Sequence, residues 1–239
     1  MKPNRVATVL LLLAASVPAH AELNNLQSLS QAEFRALSED LGSALSYKAL
    51  TPAAPLGFPG FDIGVAVTGT KLKNPELFKR ATNDPDFPET VGVPSVRAGL
   101  GLPLGFDVGA MYSSVPKTSA YLWGGALSWG FVPDGAWPAF GLRASYTKMM
   151  GVEQLDLATS GLEASISKAF GWFTPYVGGG KVWVTSTPIA STGLKKESTI
   201  GMGKAFVGLA MNISVVNFAL EYDKTGKANS YGAKLGLRF

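Results

Sequence analysis

The last nine residues constrain the fold more than any other stretch. They read Tyr231-Gly232-Ala233-Lys234-Leu235-Gly236-Leu237-Arg238-Phe239. Tyr231, Ala233, Leu235, Leu237 and Phe239 share one face, and glycine or a cation occupies every position between them. A period of two is the period of a β-strand with one apolar and one polar or small face. Similar segments recur upstream, starting at Phe61, Val96, Phe106, Tyr121, Phe140, Leu162, Tyr176, Ala205 and Val216, which makes ten in all. The segment at Tyr121 is apolar on both faces. In the one ending at Ile166, the earlier residues Leu155, Leu157 and Thr159 are out of phase, which predicts a bulge near Gly161. In the seventh, Tyr176, Gly178, Gly180, Val182 and Val184 are read as one face, and Val177, Gly179, Lys181 and Trp183 as the other.

Connections alternate between short and long, as in a meander. Short links fall near Pro103, Phe170 and Ser214, with a slightly longer one over residues 132–137. Residues 73–90, 115–118, 151–154, 186–197 and 224–227 form the other set. A short strand over residues 45–50 would make the count odd and is left out. If the strands close into a barrel, the last one, ending at Phe239, pairs with the strand starting near Phe61 and no sheet edge is left open.

The N-terminus has the form of a secretory leader. Lys2 and Arg5 precede an apolar run of 12 residues over 6–17, and Ala19-His20-Ala21 fits a small-x-small cleavage site. The run is short of the roughly 20 residues a spanning helix needs. Residues 1–21 are therefore expected to be a signal peptide. Residues 22–59 should hold a helix and an extended segment, and residues 60–239 the strand domain. Phe34, Leu37, Leu41 and Leu45 lie on one helical stripe, Ser30 and Glu33 suit a capping box, and Gly42 is placed to end the helix. This helix suits two placements, against one mouth of a barrel or inside it as a plug. An even strand count puts both chain ends at the same mouth of such a barrel, which is the periplasmic one if the barrel is of the outer-membrane kind considered next.

A final strand ending in phenylalanine resembles the C-terminal signal of Gram-negative outer-membrane β-barrels. In that class Tyr231, Leu235, Leu237 and Phe239 would present the signal to the barrel-assembly machinery. The Pro175-Tyr176-Val177-Gly178-Gly179-Gly180 stretch is also similar to a phrase of small outer-membrane barrels. The resemblance implies an all-β fold, a transmembrane antiparallel up-and-down barrel of about ten strands (eight to twelve) with a short N-terminal helix, in the cell outer membrane. Three patterns favour lipid outside over a soluble, apolar-cored barrel: segments near the roughly 9–11 residues needed to cross, apolar faces almost free of charge, and aromatics toward segment ends. On this reading inward Gly236 should accept serine more readily than Leu235 accepts arginine.

The polar face would then line the lumen with Asp62, Arg97, Asp107, Arg143, Glu163, Lys181, Lys204, Glu221, Asp223, Lys234 and Arg238. Such residues suit either a narrow passage for small polar or amphipathic molecules or a closed, salt-bridged lumen in a structural or surface-interaction barrel. The passage is the leading reading. An enzyme is disfavoured, since the only histidine is His20 in the leader and there is no cysteine. Histidine-based nucleophile systems and thiolate or imidazole metal sites are thereby excluded. No cofactor or metal is expected. Asp84, Asp86 and Glu89 lack the ligand spacing of a calcium loop and read as solvated. The 73–90 connection carries an Asn74-Pro75-Glu76 start signal for a short helix through Phe78 to Ala81. A net charge of +4 without a basic block argues against nucleic acid. The remaining expected partners are membrane lipid and lipopolysaccharide, the latter through Lys195 and Lys196.

Overall fold

The computed structural model describes residues 23–114, 120–133, 137–189 and 192–239. The leader with its cleavage site, and the 115–118 connection, lie outside the described residues. The alternating segments all form strands: β1 (Phe61–Lys71), β2 (Thr90–Gly101), β3 (Phe106–Ser114), β4 (Tyr121–Phe131), β5 (Ala139–Met150), β6 (Leu155–Ser167), β7 (Phe173–Pro188), β8 (Glu197–Ile213), β9 (Val216–Thr225) and β10 (Ala228–Arg238). Each is antiparallel to its sequence neighbour, and β1 closes onto β10 to make one ten-stranded barrel. Phe61 and Phe239 exchange both backbone hydrogen bonds at 2.9 Å, which seals the last edge.

Phe61 and Phe239 mark one mouth, here called the base, together with the connections 102–105, 168–172 and 214–215 and the ends of β4 at Phe131 and of β5 at Ala139. The opposite mouth, the rim, carries 72–89, 151–154, 192–196 and 226–227, together with the ends of β3 at Ser114 and of β4 at Tyr121. Ile63, Val65, Val96, Leu127, Leu142, Val177, Val207 and Leu220 are exposed on the outer wall. Aromatics bracket this belt. Phe61, Phe106, Phe131 and Phe140 lie toward the base, and the cross-strand pairs Trp123–Tyr146 and Tyr222–Tyr231 lie toward the rim with ring centroids 5.6 and 5.3 Å apart.

Residues 23–60 run through the barrel. Their helix, α1 (Gln31–Leu45), touches seven strands: β1, β2, β5, β6, β7, β8 and β10. The capping box forms as read, with Ser30 and Glu33 satisfying each other's backbone N–H groups. Leu23 and its neighbours sit at the rim. Gln154 donates to the Asn24 carbonyl (2.7 Å) and accepts from the Leu26 N–H, while Asn25 N–H bonds the Ala81 carbonyl at 2.9 Å. The expectation that both ends share the base is therefore corrected for the described chain. Parity counts strands only, and residues 23–60 add one crossing that belongs to no sheet.

Two further readings change for one physical reason. Toward the rim, the inner faces of β6, β7 and β8 are apolar: Leu155, Leu157, Val182, Val184, Ile200 and Met202 pack with Phe34, Leu37, Leu41 and Leu45 in a single core. No bulge exists at Gly161, where both neighbouring registers run on unbroken. Leu155 and Leu157 simply point inward to meet the helix. Along β7 the faces are opposite to the reading above, with Tyr176, Val182 and Val184 inward and Lys181 outward, its ammonium 5.7 Å from the Trp183 ring. The irregularity that does occur lies between Val184 and Ser186, opposite β8.

Gly42 does not end the helix, which continues to Leu45. It is where α1 approaches β7 most closely, since a Cβ there would overlap the Val184 methyls. Gly42→Ala therefore tests the plug directly. In a helix free of the wall alanine would stabilise by about 1 kcal/mol. Against Val184 it should instead destabilise the folded barrel by about 1–3 kcal/mol, read as a lower urea midpoint, with partial recovery on adding Val184→Ala.

A second helix, α2 (Pro75–Thr82), folds over the rim. Asn74 stands at its N-cap position and Pro75 at its first turn, but the Asn74 side chain makes no cap bond. Its backbone N–H (2.7 Å) and side-chain amide (3.2 Å) both donate to Asp40 of α1 instead. Phe78 and Ala81 are buried in the same core as α1, and Phe78 stacks on Phe87 at 5.2 Å.

Candidate functional site

The lumen holds the site in two layers. In the rim layer, charged groups clamp the plug to the loops. Arg35 pairs with Glu197 at 3.1 Å, and Gln31 donates to the same carboxylate at 2.6 Å. Arg80 of α2 pairs with Glu33 of α1. The Ser30 N–H, then Arg80, hold the Glu33 carboxyl down at about 2. Lys195, read as a lipopolysaccharide contact, exchanges backbone bonds with the Gln31 side chain, while its own side chain stays in solvent. Asp84 accepts the Asp86 N–H at 2.9 Å within a turn, and no group of three or more metal-ligating side chains gathers among the described residues.

Below α1 the chain is extended, residues 47–56 form no sheet pairing, and the wall turns charged. Glu163 on β6 accepts from Lys204 on β8 at 2.6 Å and from Arg143 on β5 at 3.3 Å. Lys204 also donates to the Tyr47 carbonyl at 2.7 Å and lies 3.5 Å from Asp223 on β9. Lys48 is 2% exposed; it donates to the Ser43 carbonyl at 2.6 Å and reaches 4.0 Å from Asp223. Arg97 on β2 donates to the Lys48 carbonyl and stands 5.5 Å from the Tyr47 ring. Tyr176 donates to Glu221 at 3.0 Å. Nearer the base, Asp62 accepts from Lys234 at 2.6 Å and from Arg238 at 2.8 Å, and Asp107 accepts the Leu56 N–H at 3.0 Å.

The structure therefore brings together ten of the residues read as lumen-lining: Asp62, Arg97, Asp107, Arg143, Glu163, Lys204, Glu221, Asp223, Lys234 and Arg238. Lys181 is the exception, outside on β7. The sequence reading missed Lys48, Tyr47 and Tyr176. Tyr176 was hidden by the face inversion of β7. The Tyr47-Lys48 pair carried a weak signal, as the one charged-aromatic step in an alanine- and proline-rich stretch.

Residues 47–56 do not fill the barrel at this level, and a cleft remains between Tyr47, Ala49, Thr51 and Leu56 of the segment and the walls of β10 and β1 to β5. Its volume is about 710 Å³ including its open mouth, and Asp62, Arg97, Asp107, Arg143, Lys234 and Arg238 line it. It extends toward the base, where the Arg238 side chain remains 22% exposed.

No protein-family model matches the sequence, and no curated protein matches it. Among solved structures, the barrel is similar to the KdgM porin in complex with disordered oligogalacturonate, with a TM-score of 0.40 and 11% identity over 74% of this chain and 99% of that one. It is also similar to Neisserial surface protein A (TM-score 0.34, 10% identity, 75% and 94% covered). The translocator domain of the autotransporter NalP from Neisseria meningitidis gives a TM-score of 0.37 at 11% identity, over 87% and 95% of the two chains. The likeness is one of barrel architecture. The chain itself is a closed ten-stranded antiparallel up-and-down β-barrel.

Proposed function

We propose that this chain is a Gram-negative outer-membrane barrel, base toward the periplasm and rim outside, closed at rest by its own residues 23–60. The exposed apolar belt between aromatic girdles supports insertion in lipid. Among the described residues no helix is long and apolar enough to cross, so crossing falls to the strands. The observation that carries the closed reading is α1 packed against seven strands beneath the α2 cap, with the extended segment bonded to charged wall residues below it. Of the two functions considered from sequence, a surface or structural barrel with a closed, salt-bridged lumen fits this geometry better than a constitutively open passage.

Single-channel recording on refolded protein, with and without residues 22–58, tests this. The intact barrel should pass no stable current, and the deletion should conduct. Steady current through the intact protein would overturn the closed reading and favour transit. A folded deletion variant that stays silent would show that wall side chains, rather than the plug, close the barrel.

Assembly through the C-terminal strand belongs to the same proposal. Tyr231, Leu237 and Phe239 are exposed on the outer face, and Leu235 is half-buried there. Deleting Phe239 should lower the yield of folded barrel in outer-membrane fractions, and an unchanged yield would remove the signal role.

A further inference from the structure

We infer that the cleft beside the plug is a binding site for a small oxyanion, a phosphate, sulfate or carboxylate group, admitted from the base. Only the assignment of the base to the periplasm rests on the proposed function; the site itself does not require that the barrel be closed or open.

The charges in the lumen are unevenly distributed. Glu163, Glu221 and Asp223 lie with Lys48 and Lys204 on the β6 to β9 side. The opposite wall presents four cations, Arg97, Arg143, Lys234 and Arg238, but only two carboxylates, Asp62 and Asp107. Asp62 is already shared by Lys234 and Arg238, and Asp107 is engaged by a backbone N–H. Arg143 draws on Glu163, which Lys204 also uses.

Arg97 is the decisive residue. It is 6% exposed and borders the cleft, yet its hydrogen bonds go to the Lys48 and Ala49 carbonyls, Ser95 and the Met111 sulfur, none of them an anion. Buried guanidinium groups are ordinarily matched by a carboxylate or a bound anion, because an unmatched buried charge is costly. A guanidinium fork is shaped for oxyanions, and Lys234 and Arg238 on the same wall can contribute further donors. With α1 and α2 over the rim, the approach is from the base. There Arg238 stands partly exposed as the first cation an entering anion would meet.

The test is isothermal titration of refolded full-length protein in zwitterionic detergent with inorganic phosphate and with sulfate, at constant ionic strength set by chloride. Saturable binding with a stoichiometry near one is expected. Affinity should fall about ten-fold or more in Arg97→Gln, as for loss of a charge-assisted bond, and measurably in Arg238→Gln. Because Arg97 also holds plug carbonyls, Arg238→Gln keeps the test open if Arg97→Gln fails to fold. Lys181→Gln, on the outer wall, should bind as wild type. Absence of saturable binding, or binding unchanged in Arg238→Gln and in any folded Arg97→Gln, would overturn the assignment. Failure here, with a silent intact barrel in the bilayer recording, would sink the anion site and leave the closed reading standing.

Discussion

Replacing Glu163 with leucine should cost about 3–5 kcal/mol of folding stability, as removal of one partner from a buried ion pair typically does. Glu163 is 3% exposed and is the acceptor that both Lys204 and Arg143 use. Lys204, in turn, holds the Tyr47 carbonyl of the plug. Loss of the carboxylate leaves Lys204 to share Asp223 with Lys48, and leaves Arg143 with only the hydroxyls of Ser128 and Thr51. The damage should therefore spread from the wall to the plug's extended segment. A lowered urea midpoint of the heat-modifiable form, together with faster proteolysis around residues 46–56, would show both effects. Leucine at 163 combined with Lys204→Met should recover part of the loss, because an apolar pair of similar volume removes the stranded charge. A cost below about 1 kcal/mol would mean that water screens this layer as it does exposed pairs.

The same network shows what a sequence can and cannot convey about such a barrel. Strand existence and inward phase were readable wherever lipid lies outside and charge inside, as in β1, β5, β9 and β10. There one alternation encodes both surroundings. The reading failed where a third surrounding intervened. Along the rim halves of β6, β7 and β8 the inner wall faces α1, so Leu157, Val182 and Ile200 are apolar because of a helix more than a hundred residues away in the chain. The strands β7 and β8, with 16 and 17 residues, also exceed the roughly 9–11 needed to cross, so their outer faces near the rim need not be greasy. Period-two patterns report a contrast between faces; they do not say which face is inside. Gly161 was misread as a bulge and Lys181 as lumen-lining for that one reason.

The plug was partly legible. Its apolar stripe and capping box were clear from residues 30–45, but a stripe does not name the surface that receives it. Gly42 illustrates the ambiguity: the same glycine signals a helix end in sequence and a close approach to Val184 in the structure. Lys48 was only faintly legible, as a charged-aromatic step beside Tyr47, since nothing local distinguishes a lysine held near Asp223 from one in solvent.

Leu235→Arg should destabilise the barrel by about 2–4 kcal/mol if its position lies near the middle of the lipid. Leu235 faces outward on β10, with Val65 and Phe218 as its cross-strand neighbours. Serine at Gly236 is a poor comparison for this test, contrary to the sequence reading. Gly236 lies opposite Gly64, and a Cβ on it would come within 2.6 Å of the Ile63 carbonyl oxygen. That position is closed to side chains by backbone, whichever face is wet. Asn229→Arg is the informative partner. Asn229 lies on the same outer face at the rim end of β10, beside Lys71 and Lys224, and accepts from Tyr222 at 3.0 Å. Arginine near the membrane surface costs only about 0–1 kcal/mol, so a membrane barrel should show a steep difference between the two variants. Equal, small costs in lipid vesicles would mean that the belt around Leu235 is not embedded, and the outer-membrane reading would fall with it.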